Sequence, residues 1–141
     1  MAAKSQASPN FDISPLQINP TENSAGESGI GLAVFSPLSQ GFLTDRYLNG
    51  IPADSRIGKG NTWLGDQLDD AMLTRLNALN QIAKSREQTL SEMALSWCLS
   101  NKAVTTVLAG ASSPAQIRTN TACLKHLDFT DEEQVQIRAL L

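Results

Sequence analysis

Two short stretches gather polar side chains, glycine and proline at places where a strand could end. Gly110-Ala111-Ser112-Ser113-Pro114-Ala115-Gln116 sets a glycine, two hydroxyls and an amide around a point where Ser113 can cap a helix and Pro114 can take its first position. The first-turn amides of such a helix lack intrahelical partners and carry the positive end of its dipole, so the junction could hold a phosphate. Plain structural punctuation is the other reading, since a serine cap before proline is common without any ligand. Ser36-Pro37-Leu38-Ser39-Gln40-Gly41 is a second polar stretch of the same kind. Two such ends side by side would line the carboxyl edge of a parallel sheet, where ligands bind in α/β architectures. Arg46 and Arg56 are the cations best placed to reach an anion there, with solvated loop charges as the bland alternative.

Other reactive side chains carry less. His126 is the only histidine and follows the third expected helix, away from both strand ends, which suits a helix-end residue set against the dipole. Tyr47 is the only tyrosine, and no neighbouring Lys, His or Asp pattern nominates it as a general acid. Trp63 and Trp97 read as packing residues. Cys98 and Cys123 have no metal-ligand spacing and read as small core residues. No GxSxG, GxxxxGK[ST], HExxH or EF-hand pattern occurs, and no metal site is expected.

The elements that must position these residues are readable from periodicity and caps. Leu32-Ala33-Val34-Phe35 is a continuous apolar run stopped by Ser36-Pro37, the pattern of a strand buried on both faces. Residues 41–65 hold five glycines, Pro52 and several charges, and form a long connection with a short helical turn near Leu43 to Tyr47. A helix is expected over about Asp70 to Arg86, with Met72, Leu73, Leu76, Leu79, Ile82 and Ala83 on its apolar face and Asp69 or Asp70 at its cap. Thr89-Leu90-Ser91-Glu92 is a capping box opening a second helix, whose face carries Leu90, Met93, Ala94, Trp97 and Cys98 and which stops at Asn101. Residues 104–109 form the second strand, and Pro114 to about Leu124 the third helix. Thr130-Asp131-Glu132-Glu133 caps a last helix holding Val135, Ile137, Leu140 and Leu141. Met1 to Ser28, with three prolines among polar residues, reads as an irregular or disordered leader.

Strands separated by helices imply a parallel α/β arrangement, yet only two strands are convincing, and a two-stranded parallel sheet has two open edges. The chain has 141 residues, room for one domain but far below the roughly 250 of a barrel of eight strand-helix units. With 11 Lys+Arg against 14 Asp+Glu the net charge is −3, and aromatics make up 5% of residues, which argues against a nucleic-acid partner. No run of 18 apolar residues exists and Met1 to Asn10 is polar, so a cytoplasmic protein without a membrane span is expected.

Several separated motifs together resemble one family. Residues 29–44 (Gly29-Ile30-Gly31 through Phe42-Leu43-Thr44), Tyr47-Leu48-Asn49-Gly50-Ile51-Pro52 with Ser55-Arg56, Ala94-Leu95-Ser96-Trp97-Cys98-Leu99, and Val107-Leu108-Ala109-Gly110-Ala111-Ser112 are similar, in order and spacing, to the carboxyl-terminal part of aldo-keto reductases. The flavour is that of the branch holding bacterial L-glyceraldehyde 3-phosphate reductases and potassium-channel β subunits. The resemblance covers residues 29–141 and implies the seventh and eighth units of a (β/α)8 TIM barrel, a partial barrel here, that binds NADPH and reduces aldehydes or ketones. The loops after those two strands are the usual phosphate site of such barrels.

By this resemblance Ser36, Pro37, Leu38 and Ser39 would line the path of the cofactor pyrophosphate. Arg46 and Arg56 would be basic residues on the loop over the cofactor, and Gly110, Ser112, Gln116 and Asn120 would surround the adenosine 2′-phosphate and adenine. Thr119 stands where many relatives have an acidic residue. Gln17-Ile18-Asn19-Pro20 is similar to a scrap of the sixth strand's end.

The family's catalytic Asp, Tyr, Lys and His come from the first four strands, and none matches a residue here. The resemblance thus implies a truncated reductase that keeps the NADPH-phosphate half-site and is inactive alone. The alternatives are a non-catalytic NADP-binding or self-associating module, and a half that complements a separately encoded amino-terminal half.

Overall fold

The computed structural model describes Gly29 and residues 31–141. The expected leader over residues 1–28, with its Gln17-Ile18-Asn19-Pro20 stretch, lies outside the described residues. Strand β1 (Leu32–Phe35) pairs in parallel with β2 (Val104–Leu108), in register Ala33 with Thr106, Val34 with Val107 and Phe35 with Leu108. One irregularity falls between Leu32, opposite Val104, and Ala33, so Thr105 is the extra residue. Gly31 lies against it: a Cβ at Gly31 would collide with the Thr105 side chain, which would have to shift to admit it.

The connection between the strands holds most of the helical mass. After tight turns at Ser39–Gly41 and Asp45–Tyr47 come α1 (Thr62–Gly65), α2 (Asp70–Ser85) and α3 (Leu90–Ser100). Beyond β2 follow α4 (Pro114–Ala122), a short turn at Cys123–Lys125 and α5 (Asp131–Leu140). The caps sit where the sequence puts them. Asp69 accepts the Met72 N–H, the Thr89-Glu92 and Thr130-Glu133 boxes are reciprocal, and Ser113 accepts the Gln116 N–H with Pro114 at the first position. The expected turn near Leu43 to Tyr47 is present at Asp45–Tyr47.

The core lies between α2, α3 and α5 and is closed by the long connection, through Phe42, Leu43, Tyr47, Leu64, Met72, Leu76, Leu79, Leu90, Met93, Trp97 and Ile137. Cys98 and Cys123 are buried, and burial, then the nearby Glu92 carboxylate, pushes the Cys123 thiol pKa up. Val34 and Val107 are half-buried against the same core.

Three expectations about burial are corrected. The strands are not buried on both faces: β1 alternates half-buried and exposed, and Phe35 and Leu108 are 75% and 61% exposed. Helices cover one face of the sheet, and no described residue covers the other. Trp63 is 60% exposed rather than packed, because α1 is a single turn that turns Leu64 inward. Val135 is also exposed, so α5 docks chiefly through Ile137, with Leu140 and Leu141 half-buried. Among the described residues no helix is long and apolar enough to cross a membrane.

Candidate functional site

At the carboxyl ends of β1 and β2 the chain leaves a cleft of about 860 Å³. Each strand supplies one wall. From β1 come Ser36, Pro37, Leu38, Gln40 and Gly41; from β2 come Leu108 and Ala109, followed by Gly110, Ala111 and Ser112; Gln116, Thr119 and Asn120 of α4 face the same space. Arg46, Asp54 and Arg56 reach it from the long connection. The volume is within the range of small-molecule and cofactor sites, roughly 300–1,000 Å³.

The wall after β1 has an unusual backbone. Ser36, Ser39 and Gln40 have φ values of 52°, 45° and 58°, and Gly41 follows at 102°. Left-handed conformations cost a non-glycine residue about 1–2 kcal/mol each, so the surrounding bonds must hold them. They are the Ser39 N–H to the Ser36 carbonyl (2.9 Å), the Gly41 N–H to the Leu38 carbonyl (2.9 Å) and the Thr44 hydroxyl to the Gly41 carbonyl (2.6 Å). Backbone strain of this kind gathers at ligand clamps.

The wall after β2 is knit by one amide. Gln116 Oε1 accepts both the N–H (2.7 Å) and the hydroxyl (3.0 Å) of Ser112, fixing the Gly110–Ser112 bend over the start of α4. The first turn of α4 offers fewer donors than the sequence suggests: Pro114 has no N–H, and the Gln116 N–H is taken by Ser113 Oγ, which leaves Ala115. A Cβ built at Gly110 meets nothing within 4 Å, so that position is open to the cleft.

Nine of the ten residues expected at a cofactor thus line one cleft: Ser36, Pro37, Leu38, Arg46, Arg56, Gly110, Ser112, Gln116 and Asn120. Ser39 is the exception. The turn from Ser36 to Gly41 tucks it inward to 4% exposure, and its hydroxyl has no hydrogen-bond partner among the described residues. Tyr47 borders the cleft but is 2% exposed and packs on Phe42 with centroids 5.4 Å apart. His126 is exposed and serves through its carbonyl, which accepts from Arg86 and Gln88.

Sequence reasoning missed the partners of the two arginines. Arg46 Nη2 donates to Asp54 Oδ2 at 2.8 Å, and Arg56 Nη1 to Gln40 Oε1 at 2.6 Å. Separations of 8 and 16 residues inside an irregular connection follow no period, so no pattern could have paired them. Among the described residues two cations face one carboxylate across the cleft, a net positive charge that suits phosphate.

A model of the aldo/keto reductase family matches residues 9–141. The chain belongs to this family. Among its relatives is an "L-glyceraldehyde 3-phosphate reductase" of Escherichia coli O157:H7, 46% identical over 114 residues, a stretch covering 78% of this chain and 33% of that protein. A "Probable voltage-gated potassium channel subunit beta" of Oryza sativa subsp. japonica is 37% identical over 110 residues, 76% of this chain and 34% of the relative. This aldo/keto reductase chain spans about a third of the length of the curated relatives it matches.

Proposed function

We propose that the cleft is the phosphate-binding part of an NADPH site, and that residues 29–141 form the carboxyl-terminal part of an aldo/keto reductase domain, the last two units of a (β/α)8 barrel. One observation carries the reading: nine residues singled out for the cofactor meet in one cleft at the ends of two paired parallel strands, with two guanidinium groups facing it. Family membership and the reductase relatives support it.

The residues present fit such a group. Arg46 and Arg56 can each donate several N–H groups to phosphate oxygens in a charge-assisted way. Ser36 and Ser112 add hydroxyls, and Gly110 leaves its backbone open to close approach. Gln116 and Asn120 offer amides for the adenosine end. The proposed roles follow the chain: Ser36, Pro37 and Leu38 on the pyrophosphate side, Gly110, Ser112, Gln116 and Asn120 on the 2′-phosphate and adenine side, and the arginines between solvent and both. Ser39 serves from below, by shaping the turn.

When bound, NADPH would supply the hydride for reducing an aldehyde or ketone. The chain's own part is to bind and orient that cofactor. No residue here is proposed as proton donor to the carbonyl, and general acid-base help of that kind is worth about 10²- to 10⁴-fold in rate. The 141-residue chain alone is therefore expected to bind NADPH without measurable turnover of an aldehyde.

Calorimetric titration with NADPH tests the reading. Saturable heat that weakens as salt is raised, and that is lost when Arg46→Met and Arg56→Met are combined, is the expected result. No heat, or heat untouched by the double substitution, would contradict it.

A second reading, self-association or docking of a complementing segment, is favoured by the sheet face that Phe35 and Leu108 leave uncovered. That face borders the cleft, since Leu108 belongs to both, and an associating segment would sit beside the phosphate site.

A further inference from the structure

The two cleft arginines differ in what holds them. Arg56 is bound by a neutral amide, Gln40, whereas Arg46 is bound by a carboxylate, Asp54. Both ends of the second pair are seated. Arg46 sits in the Asp45–Tyr47 turn, which Thr44 caps by accepting the Arg46 N–H. That turn is pinned by the buried Tyr47 ring and by Asp45 Oδ1, which accepts the Leu90 N–H of α3 at 3.3 Å. Asp54 precedes Ser55, which is 1% exposed, donates its N–H to the Pro52 carbonyl (3.0 Å) and accepts the Gly58 N–H on its hydroxyl (3.0 Å). Among the described residues Asp54 is also the one anionic side chain lining the cleft.

From this geometry we infer that Asp54 sets the affinity of the phosphate site by occupying Arg46 as an internal stand-in for the ligand. The inference rests on the cofactor reading above and deepens it. A carboxylate and a phosphate compete for the same N–H edge of a guanidinium, and a phosphate that shares Arg46 with Asp54 meets a like charge. The pair is solvent-exposed, 39% on the arginine side and 79% on the aspartate side, so it is weak enough for an arriving dianion to displace. Asp54 thereby keeps Arg46 ordered and neutralised while the cleft holds no phosphate, and weakens every phosphate that binds. The consequence is a site tuned below its possible affinity, which favours release of the spent cofactor.

The full 141-residue chain and its Asp54→Asn, Asp54→Glu and Arg46→Met variants, titrated with NADPH, test this. Asp54→Asn keeps the side chain's size and removes its charge, and should tighten NADPH binding about 3- to 5-fold, the upper part of what one exposed pair is worth. Asp54→Glu should stay close to the parent chain. In the Arg46→Met background the gain from Asp54→Asn should fall below about 2-fold, a coupling that a merely structural role would not produce. Thermal midpoints should be alike for the parent and both Asp54 variants. Equal or weaker binding by Asp54→Asn, or an undiminished gain without Arg46, overturns this inference while leaving the cofactor reading standing. No binding by either the parent or Asp54→Asn overturns both.

Discussion

Arg86 shows how much one side chain can fasten, although it lies far from the cleft. It is 4% exposed at the end of α2, and its guanidinium reaches in four directions. Nε donates to Gln88 Oε1 at 2.9 Å, Nη1 to Glu133 Oε2 at 2.7 Å, and Nη2 to the carbonyls of Asp128 (2.9 Å) and His126 (3.3 Å). Its face stacks 3.7 Å from the Phe129 ring, which meets Trp97 edge-on. Arg86→Met would remove the donor to the Asp128 carbonyl and one of two donors each to the His126 carbonyl and Glu133, with the stack on Phe129, and urea unfolding should show a loss of about 3 kcal/mol. Arg86→Lys should recover little, because an ammonium cannot serve this fork.

Glu133 adds a pH dependence. Partial burial raises its pKa, but the Thr130 N–H and the Arg86 guanidinium outweigh that and hold it below the ordinary 4.5. A carboxylate lowered on folding stabilises fully above its unfolded value and loses this as pH falls through the folded one. Urea midpoints should therefore drop below about pH 4.5, and Glu133→Gln should make that acid step smaller. None of this was visible in the sequence, where Arg86 reads as a helix end and Glu133, 47 residues on, as half of a capping box.

At the scale of elements, the caps and apolar spacings made the helices legible. Asp69, Thr89, Ser113 and Thr130 each act as the cap that the sequence suggests, because a cap is a local bond needing no tertiary partner. Burial was less legible. The run Leu32-Ala33-Val34-Phe35 is apolar throughout, and such a run does not say whether one face or two will be covered. The connection that carries Arg46, Asp54 and Arg56 was legible only as long and glycine-rich, since its shape depends on close backbone packing. Gly58 is the clearest case: a Cβ there would run into the Pro52 carbonyl and the Ala53 backbone. Gly58→Ala should cost about 1–3 kcal/mol as overpacking and weaken NADPH binding by displacing the turn that seats Asp54 and Arg56. Stability and binding unchanged by Gly58→Ala would show that this turn does not shape the cleft.

At the scale of the whole molecule, the exposed sheet face and the cleft meet at Leu108. One face of the sheet exposes Phe35 and Leu108 side by side, and it is there that the proposed self-association would take place. The double variant Phe35→Thr, Leu108→Thr should run at lower apparent mass on size exclusion and bind less of a hydrophobic dye, with α-helix content unchanged. An elution position that does not move would remove the self-association reading. The meeting of the two polar stretches was legible at this scale, because strand ends of a parallel sheet share one edge, so residues from two distant stretches were bound to meet if the strands paired.

On the proposed function, the two strand ends recognise the phosphates of a dinucleotide, the 2′-phosphate included. Parallel fluorescence titrations of the 141-residue chain with NADPH and NADH at one ionic strength test it most directly. Saturable binding of NADPH at least about tenfold tighter than NADH, equivalent to 1.4 kcal/mol for the extra phosphate, is the predicted result. Equal affinities for the two, or no saturable signal with either, would contradict it.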